Sequence, residues 1–347
     1  MPHKRTTRIA AAAATLALGA ALTACTGNSP QDTGGGGNQG GVRVANDEPG
    51  KKVVIGFSAP AADHGWMAAI TDAAKKEAGK YSDVELRVVE GTNDPNLQIS
   101  QVETFINDKV DAIVLLPFDG AALTPVALKA MKAGITVINV DRRFDSPFAA
   151  RSTVLGDNYG MGVSAGTYVC ERLKGKGDAV VAEIAGIDSL PLTQDRSKGF
   201  AEALAGCGLK VTNRVAAEFT VESGERAAAN LLQAARKIDA IWNHDDDQGV
   251  GVAAAVKNSG RGEFFMVGGA GSANVMREIK ADNGPHKATV VYPSTQGADG
   301  IRLARLAVQG KSLGDLVEVE VPREVQLYAP VVTKDNVDRY LPTAFES

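Results

Sequence analysis

From residue 51 onward, short apolar runs alternate with amphipathic stretches along almost the whole chain, and this alternation restricts the fold more than any other feature. Residues 53–57, 112–116 and 135–140 are apolar runs, as buried strands are, and 84–89 alternates as a second strand. Between them, Trp66, Ile70, Ala73, Ala74 and Ala78 share one helical face. Ile99, Val102, Phe105 and Ile106 do the same within 96–108, and 121–132 reads as a third helix. Four β-α steps in succession predict a parallel, doubly wound sheet. After residues 152–156 the pattern restarts at Asp157. It runs through helices at 157–173, 194–205, 223–236, 248–259 and 272–281, with strands at 179–184, 210–216, 239–243, 264–268 and 288–292. The fold class is therefore α/β, with two successive doubly wound parallel-sheet lobes rather than one large sheet. No repeat of 20–50 residues is present, which argues against a solenoid.

The segment 134–143, GITVINVDRR, ends the fourth strand on Asp141-Arg142-Arg143. In open α/β sheets ligands sit beyond the carboxyl ends of strands. A carboxylate beside a guanidinium offers charged acceptors and forked donors together, which suits a ligand covered in hydroxyls.

With 347 residues, 44% of them hydrophobic, the chain can bury more than one core. Its formal charge of −4 argues against a nucleic-acid partner. Residues 1–24 read as a signal peptide: Lys4, Arg5 and Arg8 precede an Ala/Leu-rich run at 9–20 that is short for a membrane span. The run closes on Leu22-Thr23-Ala24-Cys25, which resembles the bacterial lipobox, in which the cysteine is lipidated and becomes the first residue. Removal of residues 1–24 leaves 34 basic against 41 acidic residues, a formal charge of −7. Residues 25–50, rich in Gly and Asn, then read as a lipid-anchored disordered linker that holds an extracytoplasmic body off the outer face of the cell membrane. In that compartment Cys170 and Cys207 are permitted, though not obliged, to form a disulfide.

Taken in order, SAPAADHGW after the first strand, INVDRR, LGDNYGMG, QDRSKGF, the HDDD strand end and VVYPSTQG resemble the ribose/galactose-type sugar-binding proteins of ABC importers, with the type I periplasmic-binding-protein fold. The likeness spans about residues 51–338. It implies two lobes, 51–155 plus 293–322 and 156–292 plus 323–347, joined by three crossovers near 155–156, 292–293 and 322–326. It also implies a first-lobe helix at 294–309 and strand at 316–321. The ligand would lie between the lobes.

Carried over position by position, the resemblance implies that Asp141 and Arg142 bind hydroxyls from the first lobe. Trp66 stacks on a sugar face, with His64 or Asp63 adding a polar contact. Arg196 and Phe219 answer from the second lobe. Asp245 stands where the family commonly has asparagine, which exchanges amide donors for acceptors. Tyr292 replaces a polar amide at the second crossover, and Gly269-Ala270 occupies the place of a ligand-binding aspartate. Asp246 and Asp247 are expected to cap the following helix and to serve as its first-turn acids. In this family's strand order the helices carrying Cys170 and Cys207 are neighbours on one face, so the resemblance implies that the two thiols approach bonding distance; two separate buried thiols remain the alternative.

An enzyme is disfavoured, because the chain has no G-x-S-x-G, no P-loop and no G-x-G-x-x-G after the opening strand. His64, His244 and Asp245 to Asp247 are metal-competent residue types but lack tight ligand spacing. The expectation is a monomeric, cofactor-free lipoprotein that binds a monosaccharide or related polyol by hinge closure and delivers it to ABC permease subunits. The alternatives are a ligand sensor for a receptor and a binding protein for a non-sugar ligand.

Overall fold

The computed structural model describes residues 46–314 and 316–347. The signal peptide, Cys25 and the linker as far as residue 45 lie outside the described residues.

The chain opens with β1 (Val53–Ser58), α1 (Gly65–Ala78), β2 (Val84–Val88), α2 (Pro95–Asn107), β3 (Ala112–Leu115), α3 (Gly120–Lys132), β4 (Thr136–Val140) and β5 (Ser152–Gly156). It continues with α4 (Asn158–Arg172), β6 (Val181–Ala185), α5 (Pro191–Gly206), β7 (Val211–Ala216), α6 (Val221–Ala234), β8 (Ala240–Asn243), α7 (Asp246–Ser259), β9 (Phe265–Ala270), α8 (Ala273–Ala281) and β10 (His286–Val291). It closes with α9 (Gln296–Val308), β11 (Glu324–Leu327), β12 (Val331–Thr333) and α10 (Val337–Tyr340). Two six-stranded sheets result, ordered β11-β5-β4-β3-β1-β2 and β12-β10-β9-β8-β6-β7. Pairing is parallel throughout except for the β10–β12 pair.

Both faces of each sheet are buried, and adjacent strand residues serve opposite cores. In the second lobe Ala240 and Trp242 join one cluster with α4 and α5, while Ile241 joins another with α6 and α7. Cys170, near the end of α4, and Cys207, just after α5, are joined in a disulfide with Cα atoms 6.0 Å apart.

Three expectations are corrected here. Residues 316–321 form no strand: Val317 and Val319 are exposed, and only Val321 is buried. Alternation of Val and Glu has the period of a strand, but without a neighbouring chain to accept its hydrogen bonds it stays irregular. The sixth strand of the first lobe is instead β11, in register with β5 from Glu324↔Thr153 to Leu327↔Gly156. The last crossover therefore runs through residues 328–330 and not 322–326, and the second lobe resumes at β12. Finally, the end of the linker is tied to the body. The buried Arg305 donates to the carbonyls of Asn46 and Glu48, and the Gly50 N–H donates to Asp83.

Candidate functional site

The chain passes between lobes at Asp157, between β5 and α4, and again at 292–295, between β10 and α9. The carboxyl ends of β1 and β4 thus face those of β6, β8 and β9 across one cleft, and the candidate residues converge there.

Asp141 follows β4 with φ +63°, a left-handed conformation that Asp tolerates better than most residues. Its N–H stays bonded to the Val154 carbonyl at 2.8 Å, so the turn is anchored while the side chain swings into the cleft. Oδ1 accepts from the Tyr292 hydroxyl at 2.5 Å. Arg142 donates through Nη1 to the Phe118 carbonyl at 2.6 Å and lies over the Phe118 ring. Its Nε, 3.8 Å from Asp141 Oδ2, is buried without a hydrogen-bond partner. Burial lowers the Arg142 pKa, with Asp141 opposing. This donor is unspent and lies at the cleft.

Arg196 reaches in from the first turns of α5. Nε donates to Asn158 Oδ1 at 2.8 Å and Nη1 to the His244 carbonyl at 3.2 Å. The guanidinium lies 4.6 Å from the Tyr292 ring centroid and 5.8 Å from that of Phe219, a cation between two aromatic faces. Trp66, at the start of α1, donates its indole N–H to the Tyr292 carbonyl at 2.9 Å, with the two rings 5.5 Å apart. Tyr292 is thus the hub. Its ring lies so close to Gly156 that a Cβ there would fall 2.0 Å from the ring, so glycine is required at that crossover. Burial, then the Asp141 charge, drives the Tyr292 pKa upward, so the phenol remains a donor.

His64, Trp66, Asp141, Arg142, Arg196, Phe219, Asp245 and Tyr292 all line one inner pocket of about 30 Å³. Asp63 does not. It is exposed, accepts from Asn93 and is bonded to His64 Nδ1 at 2.5 Å, which orients the imidazole. A wider cavity of about 300 Å³ adjoins this pocket and shares Asp141, Arg142 and Leu192 with it.

The acidic run at the end of β8 is used differently from expectation. Asp245 is the N-cap of α7, its Oδ1 accepting from the Asp247 and Gln248 N–H groups at 2.8 and 3.2 Å. Burial, together with the neighbouring Asp247 and Asp246, pushes its pKa well up. Asp246 is not a cap. It crosses to the turn after β9 and accepts from the N–H groups of Gly269, Gly271 and Ser272 and from the Thr289 hydroxyl. Asp247 crosses the cleft to accept from the Trp66 N–H at 2.9 Å. Only His244 and Asp245 separate the end of β8 from the start of α7, so the first acid of the run stands in capping position and Asp246 and Asp247 fall in the first turn.

Sequence reasoning overlooked Asn158, which bonds both Arg196 and the Tyr292 hydroxyl. Its signal is its place inside LGDNYGMG, at the start of the helix that follows the first crossover. Leu192, Met67 and Ala270 complete the inner wall. His244 is buried against Glu183 at 2.9 Å, and among the described residues no group of three or more His, Cys, Asp or Glu side chains is placed to hold a metal. The arrangement offers hydroxyl-matching donors and acceptors and apolar ring faces, which is the equipment of a binding site.

Residues 55–312 match the family model described as the periplasmic binding protein domain. The chain is similar to the ribose import binding protein of Bacillus subtilis (strain 168), 27% identical over 305 residues covering 88% of this chain and 95% of that protein. It is similar also to the galactofuranose-binding protein of Escherichia coli (strain K12), 27% identical over 295 residues, 83% of this chain and 91% of that protein. Among solved structures it resembles an ABC transporter solute-binding protein from Bacillus halodurans C-125 with bound myo-inositol. That likeness has TM-score 0.75 and 26% identity, over 84% of this chain and 98% of that one. With its two parallel-sheet lobes in the type I arrangement, the chain belongs to the periplasmic binding protein domain family, whose members bind solutes rather than transform them.

Proposed function

We propose that this protein is the extracytoplasmic solute-binding lipoprotein of an ABC importer, and that it binds a monosaccharide or related polyol between its lobes. The observation that carries the reading is the meeting of Asp141 and Arg142 from one lobe with Arg196 from the other at a single cleft. Charged acceptors and forked donors on opposing walls match a ligand whose hydroxyls each donate and accept. Trp66, Phe219 and Tyr292 supply ring faces for its C–H surface, and His64 and Asp245 supply polar edges. The names of the relatives, which include ribose, galactofuranose and myo-inositol binders, favour the same chemical class. Ligand stabilises the closed state because only that state contacts it from both lobes. The closed body then docks on permease subunits, while lipidated Cys25 keeps it at the outer face of the membrane.

Calorimetric titration of the full-length protein in mild detergent against pentoses, hexoses, polyols, cyclitols and amino sugars tests the ligand class. A single hit at micromolar affinity or better is expected; a blank across the panel refutes a saccharide ligand. Metabolic labelling with a fatty-acid analogue tests the anchor: the wild-type protein should carry the label and Cys25→Ala should not, and an unlabelled wild-type protein refutes lipidation there.

A further inference from the structure

Helix α1, in the first lobe, begins without a cap of its own. His64, its N-cap residue, makes no side-chain bond to the first turn, and that turn carries no acid. An N-terminus in that state presents free N–H groups and the positive end of the helix dipole. The carboxylate that serves it comes from the second lobe: Asp247 Oδ2 accepts from the Trp66 N–H at 2.9 Å, and both residues are buried. Asp247 is itself fixed in the first turn of α7, where its N–H donates to Asp245 Oδ1 at 2.8 Å. A charge-assisted capping bond of this kind, made across the cleft, exists only while the lobes are together. The backbones of the two lobes meet at the same point. The last residues of the chain belong to the second lobe, where the Ala273 N–H donates to the Phe345 carbonyl and Arg277 pairs with Glu346. The Glu346 carbonyl approaches Gly65 so closely that a Cβ on Gly65 would fall 2.2 Å from it and 2.7 Å from Asp247 Oδ1. Gly65 has a negative φ, so close approach, and not backbone conformation, requires glycine there. Neither Gly65 nor Asp247 lines the inner pocket or the cavity beside it.

We infer that Asp247 and Gly65 form an interlobe latch, which raises ligand affinity by favouring the closed state without touching the ligand. The inference rests on the reading of the cleft as a site that closes by a hinge around a small solute. Apparent affinity scales with the population of the binding-competent state, so a contact made only on closure tightens the binding of whatever the cleft accepts. The latch also has a positional effect. It joins the turn that carries Asp245 on one wall to the turn that carries Trp66 on the other, so both pocket residues are set by the same bond. On opening, α1 exchanges a carboxylate for water, and Gly65 parts from the Glu346 carbonyl.

The separation of the lobes without ligand tests this. Ala121, in the first turn of α3, and Ser189, before α5, are exposed residues on opposite lobes at the cavity beside the pocket. In the full-length protein carrying Cys25→Ala, Ala121→Cys and Ser189→Cys supply the only free thiols for spin labels, because Cys170 and Cys207 are bonded to each other. Distances from pulsed electron resonance should lengthen in Asp247→Ala, which removes the carboxylate, and in Gly65→Ala, which puts a methyl group between the backbones. Asp247→Asn keeps an oxygen acceptor and should stay nearer to wild type. Thermal melting without ligand checks folding, and alanine at Gly65 favours the helix, so its effect on closure is separable from an effect on folding. Once titration of the wild-type protein has identified its ligand, Asp247→Ala and Gly65→Ala should each bind it about 3- to 30-fold more weakly. The loss should fall on the dissociation rate, because the latch forms after the lobes meet. Wild-type distances in both folded variants overturn the latch and leave the saccharide reading intact. Failure of the wild-type protein to bind any member of the panel removes that reading, and the distances still decide the latch.

Discussion

The Tyr292 hydroxyl donates to Asp141 Oδ1 at 2.5 Å, joining the second crossover between the lobes to the end of β4. The same hydroxyl accepts from Asn158 at 3.1 Å, at the first crossover. One phenol therefore links two of the three connecting segments to the charged group at the centre of the cleft. Removing it in Tyr292→Phe leaves a buried carboxylate oxygen short of a donor. Stability should fall by about 1–3 kcal/mol in urea unfolding. An unchanged midpoint and slope would show that the bond contributes nothing.

Asp141 and Arg142 line both the inner pocket and the cavity beside it, so ligand binding should depend on them. Asp141→Ala should weaken binding by about 10- to 100-fold or more, since it deletes a charged acceptor. Arg142→Lys keeps the charge but loses Nε and the fork, and should also weaken binding. Calorimetric titration with the identified ligand reads both. Wild-type affinity in Asp141→Ala would remove it from the site.

Asp83 and Arg305 form a buried ion pair through two contacts at 2.8 Å, and Arg305 also holds the carbonyls of Asn46 and Glu48. The Arg305 guanidinium keeps the Asp83 carboxyl well below the usual range, ahead of an opposing burial effect. A depressed folded pKa means that this stabilisation is complete above about pH 4, the unfolded value, and is lost as pH falls below it. Asp83→Ala strands a buried cation and should cost about 3–5 kcal/mol at neutral pH. It should also flatten the acid limb of the stability profile, which acid titration followed by circular dichroism would reveal.

Asp246 behaves in the opposite sense. Burial raises its carboxyl to about 6, against the hydrogen bonds from Ser272, Thr289 and Gly269. Because the folded protein then holds its proton more tightly than the unfolded chain, stability is penalised as pH rises from about 4 to 6, by about 3 kcal/mol in full. Asp246→Asn is less stable overall, having placed an amide against N–H donors, but it lacks this titration. The stability gap between wild type and variant should therefore narrow across that interval. Parallel profiles in denaturant titrations at pH 4, 5, 6 and 7 would contradict it.

The Cys170–Cys207 disulfide closes a loop with a sequence separation of 37. Cys170→Ser with Cys207→Ser should lower unfolding free energy by about 3–4 kcal/mol in the chain-entropy model. The difference should vanish when wild type is compared under reducing conditions.

Much of the architecture was legible before any coordinates. Most strands of the two sheets up to β10 are local apolar or alternating runs, and the helices between them have a local period, so a short window of sequence is enough to find them; β5, STVLG, is read only as a short stretch between two lobes. The end of the chain was not legible in that way. Residues 316–321 carry a strand-like alternation and remain irregular, whereas Glu324–Leu327 carries a weaker pattern and pairs with β5. A strand exists only where another backbone accepts its hydrogen bonds, and the sequence holds no local record of that neighbour.

The cleft divides along the same line. Asp141, Arg142, Arg196, Trp66 and Phe219 could be named from motifs because each stands at a fixed offset from the end of a strand or the start of a helix. That Asp63 only orients His64 is decided by a loop conformation. That Asp245 caps α7, and Asp246 and Asp247 reach other elements, is decided by where α7 begins. Tyr292 and Asp141 are separated by 151 positions. By itself the sequence determined the two lobes and the chemical kind of their facing walls. Only the tertiary structure decided which of those groups spend their hydrogen bonds on each other, because that depends on distances between segments that share no local pattern.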